Sequence, residues 1–556
     1  HHQSAVTRDV WVYDVPTKKY TQLSSFKGED RNPVFDSNDS DFYYLSEQSG
    51  SFNVYKSSLA SPGKSVAISK FTKHPVRFLT RAKNGTLAYS YDGELYTQQP
   101  GSSPAKVKIR IGADGRDSIE KITPVNGGFT ESSLSPNGKE FAFIFRGEIF
   151  VSSIDGKMVK RITNTPWQER TVNFSPDGRS LVYAAEQDNN WNIYTASLTR
   201  KEEPYFCVST VLKTEPVVAT AAEEFQPNFS PDGKEIAYLE NRVVLKVYNI
   251  ASKQSRTILT ADKNYSYADG DQYYQWSPDS KWFLVMFGLP ERIFTPEVGL
   301  ISADGKGELH DLTLSGYDDF GPKWAMDGKM MIWGTTRDGA LNQGGGAATG
   351  DVYAMYFTKA FYDRSKLSKE ELALVKEQED KEKKEAEEKA KASGPSAAAT
   401  ASPTASPSPS PSKDIKIDWD NLTDRKSRLT INTSAASDWV LSKDGEKLFY
   451  LTSFEKGNDL WVTDIRTKET KLFNKLGANN TSMELSPDGK FIFVLADGKP
   501  VKVDTDSGKA EPIGVNSEMV LNYAAEKAYI FDHSWRQMKQ KLIFPDLGGV
   551  DWDFYY

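Results

Sequence analysis

Ser175-Pro176-Asp177-Gly178-Arg179 returns as Ser230-Pro231-Asp232-Gly233-Lys234 and again as Ser486-Pro487-Asp488-Gly489-Lys490. Weaker copies read Ser135-Pro136-Asn137-Gly138-Lys139, Ser277-Pro278-Asp279-Ser280-Lys281, Met326-Asp327-Gly328-Lys329 and Ser442-Lys443-Asp444-Gly445. The phrase is turn chemistry. Proline presets φ near about −65°, aspartate bonds back to the local backbone, and glycine takes the left-handed position. A short strand ends at an apolar residue before each turn: Phe174, Phe229, Trp276, Trp324 or Leu485. An alternating strand comes after it, such as Phe141-Ala142-Phe143-Ile144 or Ile236-Ala237-Tyr238-Leu239. Third strands read Trp191-Asn192-Ile193-Tyr194 and Asp459-Leu460-Trp461-Val462, and a fourth reads Val159-Lys160-Arg161-Ile162-Thr163. Four short antiparallel strands per roughly 40–50 residues is the signature of a β-propeller blade. Unrelated hairpins in a sandwich would not keep this phase.

Worn turns at Pro33-Val34-Phe35-Asp36-Ser37 and Lys83-Asn84-Gly85-Thr86 add two more anchors. The anchors then fall near positions 36, 83, 136, 176, 231, 278, 327, 444 and 488. Nine exceeds the usual range of a single propeller, about 4–8 blades. Two propellers are expected, the first cut off on its N-terminal side. Strands near 10–13 and 20–23 read as the outer half of a still earlier blade.

Composition agrees. The 556 residues are too many for one compact core, and the 12% aromatic content suits pleated, half-buried surfaces. The net charge of −7, with no basic stripe, argues against a nucleic-acid partner. No apolar run is long enough for a membrane span. The single cysteine, Cys207, excludes a disulfide within the chain and reads as a small core residue. His1-His2-Gln3-Ser4 is not a signal peptide, and Val10-Trp11-Val12-Tyr13 already alternates like a strand. The chain is read as starting inside a domain.

The rhythm breaks between Asp327 and Asp444. Ser368-Lys369-Glu370-Glu371 is a capping box, and Glu377 to Lys391 is charged and helix-favouring. Residues 393–412 are Ala, Ser, Thr and Pro with one Gly, a composition that cannot bury enough surface to fold. Asp351-Val352-Tyr353-Ala354-Met355 nevertheless reads as a third strand, and Lys426-Ser427-Arg428-Leu429-Thr430 as the missing fourth. The insert is therefore placed inside one blade. Its charged run is read as a solvated helix.

The catalytic inventory is nearly empty. His74, His310 and His533 have no partner at metal-binding spacing, and His1-His2 reads as a terminal, tag-like pair. No G-x-S-x-G elbow occurs. Gly344-Gly345-Gly346-Ala347-Ala348-Thr349-Gly350 lacks the lysine of a phosphate loop, since Asp351 comes next. It reads as a loop on one face of the propeller. The aspartates of the repeated phrase are explained by turn chemistry and not by calcium. No catalytic, cofactor-binding or metal-binding residue is assigned, and no cofactor is expected. Inner strands should line a channel, including Thr171-Val172-Asn173-Phe174, Gln226-Pro227-Asn228-Phe229 and Tyr273-Tyr274-Gln275-Trp276. The plainer role for each of these residues is packing blade against blade.

From Ala524 the strand pattern stops. Ile530, Ser534, Trp535, Met538 and Leu542 fall on one face of a predicted helix that ends before Pro545. A new, helical domain begins here.

The segment Ile530-Phe531-Asp532-His533-Ser534-Trp535-Arg536, then Phe544-Pro545-Asp546, then Gly549-Val550-Asp551-Trp552, resembles the entry to the catalytic half of tricorn-like serine peptidases. Arg146-Gly147-Glu148-Ile149-Phe150 resembles the opening blade of that family's second propeller. The resemblance implies an all-β fold of tandem β-propellers, the end of a six-bladed one and then a seven-bladed one, with the first helix of a C-terminal domain. It implies residues 1–118 for the last blades of the first propeller, 119–520 for the second with an insert at 366–414, and 521–556 for the start of the C-terminal half. The insert departs from the archaeal pattern and resembles the Bacteroidetes-like branch, which implies an exported, periplasmic protein. The resemblance also implies a peptide or unfolded-protein substrate, homo-oligomeric assembly, and a PDZ-like module and serine nucleophile downstream. His533 does not match the family's catalytic histidine. Two other readings compete. One is a TolB-like scaffold binding proteins or glycans; the other is the propeller of a prolyl-oligopeptidase-like hydrolase.

Overall fold

A computed structural model describes residues 7–110, 119–266, 272–289, 292–339, 349–392, 414–430, 433–541 and 547–556. Contacts divide the chain into two compact units, His1–Asp117 and Ser118–Tyr556.

The first unit holds two four-stranded antiparallel sheets, over residues 30–67 and 77–106. A two-stranded sheet of Trp11–Asp14 and Lys19–Gln22 precedes them. Between the two larger sheets Tyr43, Leu45, Val54, Val76, Leu79, Leu87 and Tyr89 form one apolar cluster. Arg81 of the second sheet pairs with Asp36 of the first at 2.8 Å. The worn turn at 33–37 therefore keeps its aspartate for an ion pair between blades.

The second unit holds seven four-stranded sheets, each a simple antiparallel meander. They are blades I (131–161), II (169–218), III (224–259), IV (274–311), V (319–428), VI (438–478) and VII (481–512). First strands of neighbouring blades touch between I and II, II and III, IV and V, and VI and VII, and the first strand of each blade is innermost. Apolar clusters fill every junction. One joins I and II, one runs through II, III and IV, one joins IV and V, one runs through V, VI and VII, and one joins VII to I. Phe141 of blade I and Phe493 of blade VII meet at 5.0 Å between ring centroids, so the ring closes. Among the described residues no strand is exchanged between blades VII and I. Instead Glu120–Val125 pairs with Ser517–Asn522 in a separate ribbon, which buries Val125, Met519 and Leu521 over that junction. This is the tandem β-propeller fold that the repeat predicts, with the C-terminal helix expected after Ala524.

The turn phrase does more than turn. In each good copy the serine hydroxyl donates to the aspartate two residues on, at 2.6 Å in Ser175, 2.7 Å in Ser230 and 2.7 Å in Ser486. The same hydroxyl accepts the N–H five residues on, at 2.8 Å from Ser180 and 3.0 Å from Phe491. The glycines sit at positive φ, 70° at Gly178 and 73° at Gly233. The proline of one blade lies against the glycine of the next: Pro136 on Gly178, Pro176 on Gly233, Pro278 on Gly328 and Pro487 on Gly138. A side chain at Gly138 would come within 3.4 Å of Pro487.

The insert lies inside blade V as its sequence predicts. Asp351–Tyr356 pairs with Lys426–Arg428, with Tyr353 opposite Arg428. Between these strands come helices α1 (Lys359–Ser365) and α2 (Lys369–Ala392). The capping box forms: Glu371 N–H donates to Ser368 Oγ at 3.2 Å, and Ser368 N–H to Glu371 Oε2 at 2.8 Å. Arg364 of α1 pairs with Glu379 of α2 through both carboxylate oxygens. Residues 393–412, and all but the end of the glycine cluster before Gly350, lie outside the described residues.

Candidate functional site at the propeller axis and the docked C-terminal helix

An innermost strand has one edge with no strand beside it, so its N–H and C=O groups need other partners. Here each blade supplies a side chain to the inner edge of the next. Glu131 Oε2 of blade I accepts the Thr171 N–H of blade II at 2.5 Å. Asn173 Nδ2 donates to the Pro227 carbonyl of blade III at 3.0 Å, and Gln226 Nε2 to the Gln272 carbonyl leading into blade IV at 2.9 Å. Gln275 Oε1 accepts the Trp324 N–H of blade V at 3.0 Å. Lys323 donates to the Trp439 carbonyl of blade VI at 2.9 Å. Asp438 Oδ2 accepts the Met483 N–H of blade VII at 2.8 Å, and Glu484 Oε2 accepts the Leu134 N–H of blade I at 3.0 Å. Seven junctions carry seven side-chain-to-backbone clasps, and the circuit is complete.

Bulges aim several of these groups. The ladder shifts register between Arg170 and Asn173, Phe225 and Asn228, and Phe320 and Lys323. Thr171, Gln226 and Gly321 take φ of 55°, 50° and 56° there. A branched Thr171 in that region costs on the order of 1–3 kcal/mol, offset by the bond its N–H makes to Glu131. Asn173, Gln226, Tyr274 and Gln275, which the sequence places in channel-lining stretches, thus make bonds from blade to blade. Tyr274 donates to the Gln226 and Ala237 carbonyls. Missed by sequence were Glu131, Lys323, Asp438 and Glu484, because the inner edge that recruits them exists only after the ring closes.

The charges on this ring are mostly paired. Arg170 lies 3.3 Å from Glu131, and Lys323 lies 2.5 Å from Asp438. Glu484 has solvent access yet is walled in by the surrounding blades, and that desolvation pushes its carboxyl up to about 7.

The second constellation holds helix α3 (Tyr523–Lys541) to blades I and II. Glu186 is the penultimate residue of the second strand of blade II, near the tight turn of Asp188 and Asn189, and its side chain is 2% exposed. It receives Tyr529 Oη at 2.5 Å, His533 Nδ1 at 2.5 Å and Arg536 Nη2 at 2.9 Å. Arg536 also reaches Asn189 at 2.6 Å. Burial alone would raise the Glu186 carboxyl; its bonds to His533, Tyr529 and Arg536 override that and hold it low. Glu526, one turn earlier, is gripped by Arg146 at 2.6 to 2.9 Å. Residues 526, 529, 533 and 536 form one helical face.

That face is not the one on which Ile530, Ser534 and Met538 fall. Ile530 and Met538 are 51% and 56% exposed, and Ser534 is exposed too. Leu542 lies outside the described residues. The helix docks by its polar side. Its Trp535 instead gathers Phe531, Trp552 and Tyr556, with Trp552 at 4.4 Å. Trp552 belongs to the last short helix, α4 (Trp552–Tyr555).

The remaining reactive side chains have structural partners. His310 packs on Trp419 at 4.3 Å, and His74 lies 3.6 Å from Asp92. Burial, then Glu140, pushes the half-buried Cys207 thiol up to about 12, so it is not a thiolate at neutral pH. Among the described residues no group of three or more His, Cys, Asp or Glu is placed to hold a metal ion. Among them, too, no helix is long and apolar enough to cross a membrane.

Residues 523–556, which comprise the docked helix and the tail packed on it, match the model of the tricorn protease C1 domain. A tricorn protease homolog of Saccharolobus solfataricus is 25% identical over 301 residues, covering 52% of this chain and 25% of that sequence. The Tol-Pal system protein TolB of Francisella tularensis is 28% identical over 272 residues, covering 47% of this chain and 56% of that sequence. The chain thus spans between a quarter and just over half of these relatives. The crystal structure of the tricorn protease superposes with a TM-score of 0.66 at 14% identity, over 95% of this chain and 48% of that one. In its sequence, in its propeller fold and in the C1 segment that its polar helix face docks, the chain is tricorn-like.

Proposed function

We propose that the chain is the non-catalytic propeller portion of a tricorn-like serine peptidase. In this reading the propellers guide or filter peptide substrates and support assembly, and peptide-bond hydrolysis belongs to a Ser/His domain beyond Tyr556. One observation carries it: the C1 match starts at Tyr523, where a helix is fixed to the propeller by buried polar bonds. A periplasmic or otherwise exported parent, acting as a homo-oligomer, belongs to the same reading. An active-site serine probe tests it. The parent protein should label stoichiometrically, whereas the 556-residue chain should neither label nor cleave peptides. Labelling of the chain itself, or a parent that never labels, overturns the proposal.

The TolB likeness over 272 residues supports a second reading, a propeller scaffold that binds proteins. An unlabelled parent that still binds a folded protein partner would favour it.

A further inference from the structure

The axial ring contains five acidic or basic side chains whose placement is fixed by the clasps: Glu131, Arg170, Lys323, Asp438 and Glu484. Both cations are spent. Arg170 pairs with Glu131, and Lys323 with Asp438. Glu484 is different. It uses Oε2 on the Leu134 N–H and, among the described residues, no cation sits in contact with it. Its strand, Thr481–Leu485, alternates so that Ser482 and Glu484 are the solvent-accessible pair, with Met483 buried between them. Lys323 is close enough to lower the Glu484 carboxyl, but desolvation is the stronger influence. Among the described residues the ring thus leaves one acid without a counter-charge in contact.

We infer that Glu484 is the channel's recognition point for positive charge on a polypeptide, either an N-terminal ammonium or a lysine or arginine side chain. The inference rests on the reading of the channel as a peptide path. Neutral and acidic segments would find only backbone and amide partners there. A cation would restore the balance that Arg170 and Lys323 supply elsewhere on the ring. Of the ring's other charged groups, Lys323 acts on Glu484 electrostatically, and Asp438 bonds the N–H of the adjacent Met483. None of the others carries an unpaired charge near neutrality, so cation preference should grow as Glu484 ionises.

The test uses the whole 556-residue chain and two fluorescent, unstructured peptides of one sequence, read by anisotropy. One has a free N-terminus and two lysines; the other is acetylated with glutamine in their place. At pH 8 and moderate salt the basic peptide should bind at least tenfold more tightly. Glu484→Gln keeps an acceptor for the Leu134 N–H and removes the charge. It should abolish the preference, leave the neutral peptide unchanged and not lower the melting temperature. Lowering the pH to 6 should shrink the preference in the native chain and not in the variant. A preference that survives Glu484→Gln overturns the inference. Ser482→Trp narrows the path without touching the charge and should weaken both peptides. If it weakens neither, the channel reading itself fails, independently of Glu484.

Discussion

Blade against blade and helix against blade are two different kinds of contact in one unit. Blades meet through continuous apolar clusters and add polar clasps at the axis. Helix α3 meets the same blades almost without apolar contact, through Glu186, Arg146 and their partners, and keeps Ile530 and Met538 in solvent. The first kind is driven by burial and tolerates salt and pH. The second depends on charge state and geometry. The ring is therefore built to stay assembled, and the helix is held by a contact that conditions can loosen.

Phe141→Ala strikes the ring hardest. It empties a fully buried site between blades I and VII and should cost about 3–5 kcal/mol, read as a lower thermal midpoint of the second unit. An unchanged midpoint would mean that the ring is not closed at that junction. Glu186→Ala strips three donors of their shared carboxylate. It should destabilise the docked helix by roughly 2–4 kcal/mol with little effect on the blades. Hydrogen exchange should show α3 amides losing protection while the strand of Ser180–Gln187 keeps its own. Equal loss in both would make the helix part of the propeller core.

Acid should separate the two contacts as well. The folded-state value of Glu186 is depressed, so its stabilisation is complete above the ordinary carboxylate range and is lost as pH falls through the depressed value. Helix α3 should accordingly loosen in acid before the blades melt. Glu169 behaves in the opposite sense. Burial, and then the neighbouring Glu148, hold its carboxyl well above the usual range. Stability is thus lost as pH rises from about 4.3 toward the raised value. Glu169→Gln mimics the protonated acid, so its melting temperature relative to the native chain should increase with pH. A constant difference would show that the acid is ionised in the fold. Smallest of all, Ser368→Ala removes the α2 cap and should cost about 1 kcal/mol of local helix stability, visible as fraying of Lys369–Leu372 in exchange.

The repeat made the blades legible because each turn writes its own local bonds: serine, aspartate and glycine explain one another within six residues. It also placed the insert, since Lys426–Arg428 supplies the fourth strand that Asp351–Tyr356 lacked. The axial clasps were hidden for the opposite reason. Glu131 reaches Thr171 one blade on, and Glu484 reaches Leu134 across the closure of the ring, and neither inner edge exists until the blades are assembled. Helix α3 was legible from its period, but the face it docks by was not, because the partner that selects the polar side, Glu186, lies on a distant strand.

Each blade carries both the hand that grips its successor and the edge that its predecessor grips, and the same holds for the proline and glycine of several turns. A copied blade would arrive with its own fittings at both ends, whatever its position in the circle. Gain or loss of one unit would then change the diameter of the hole without inventing a new joint. The size of what can pass along the axis is, on this account, a heritable count.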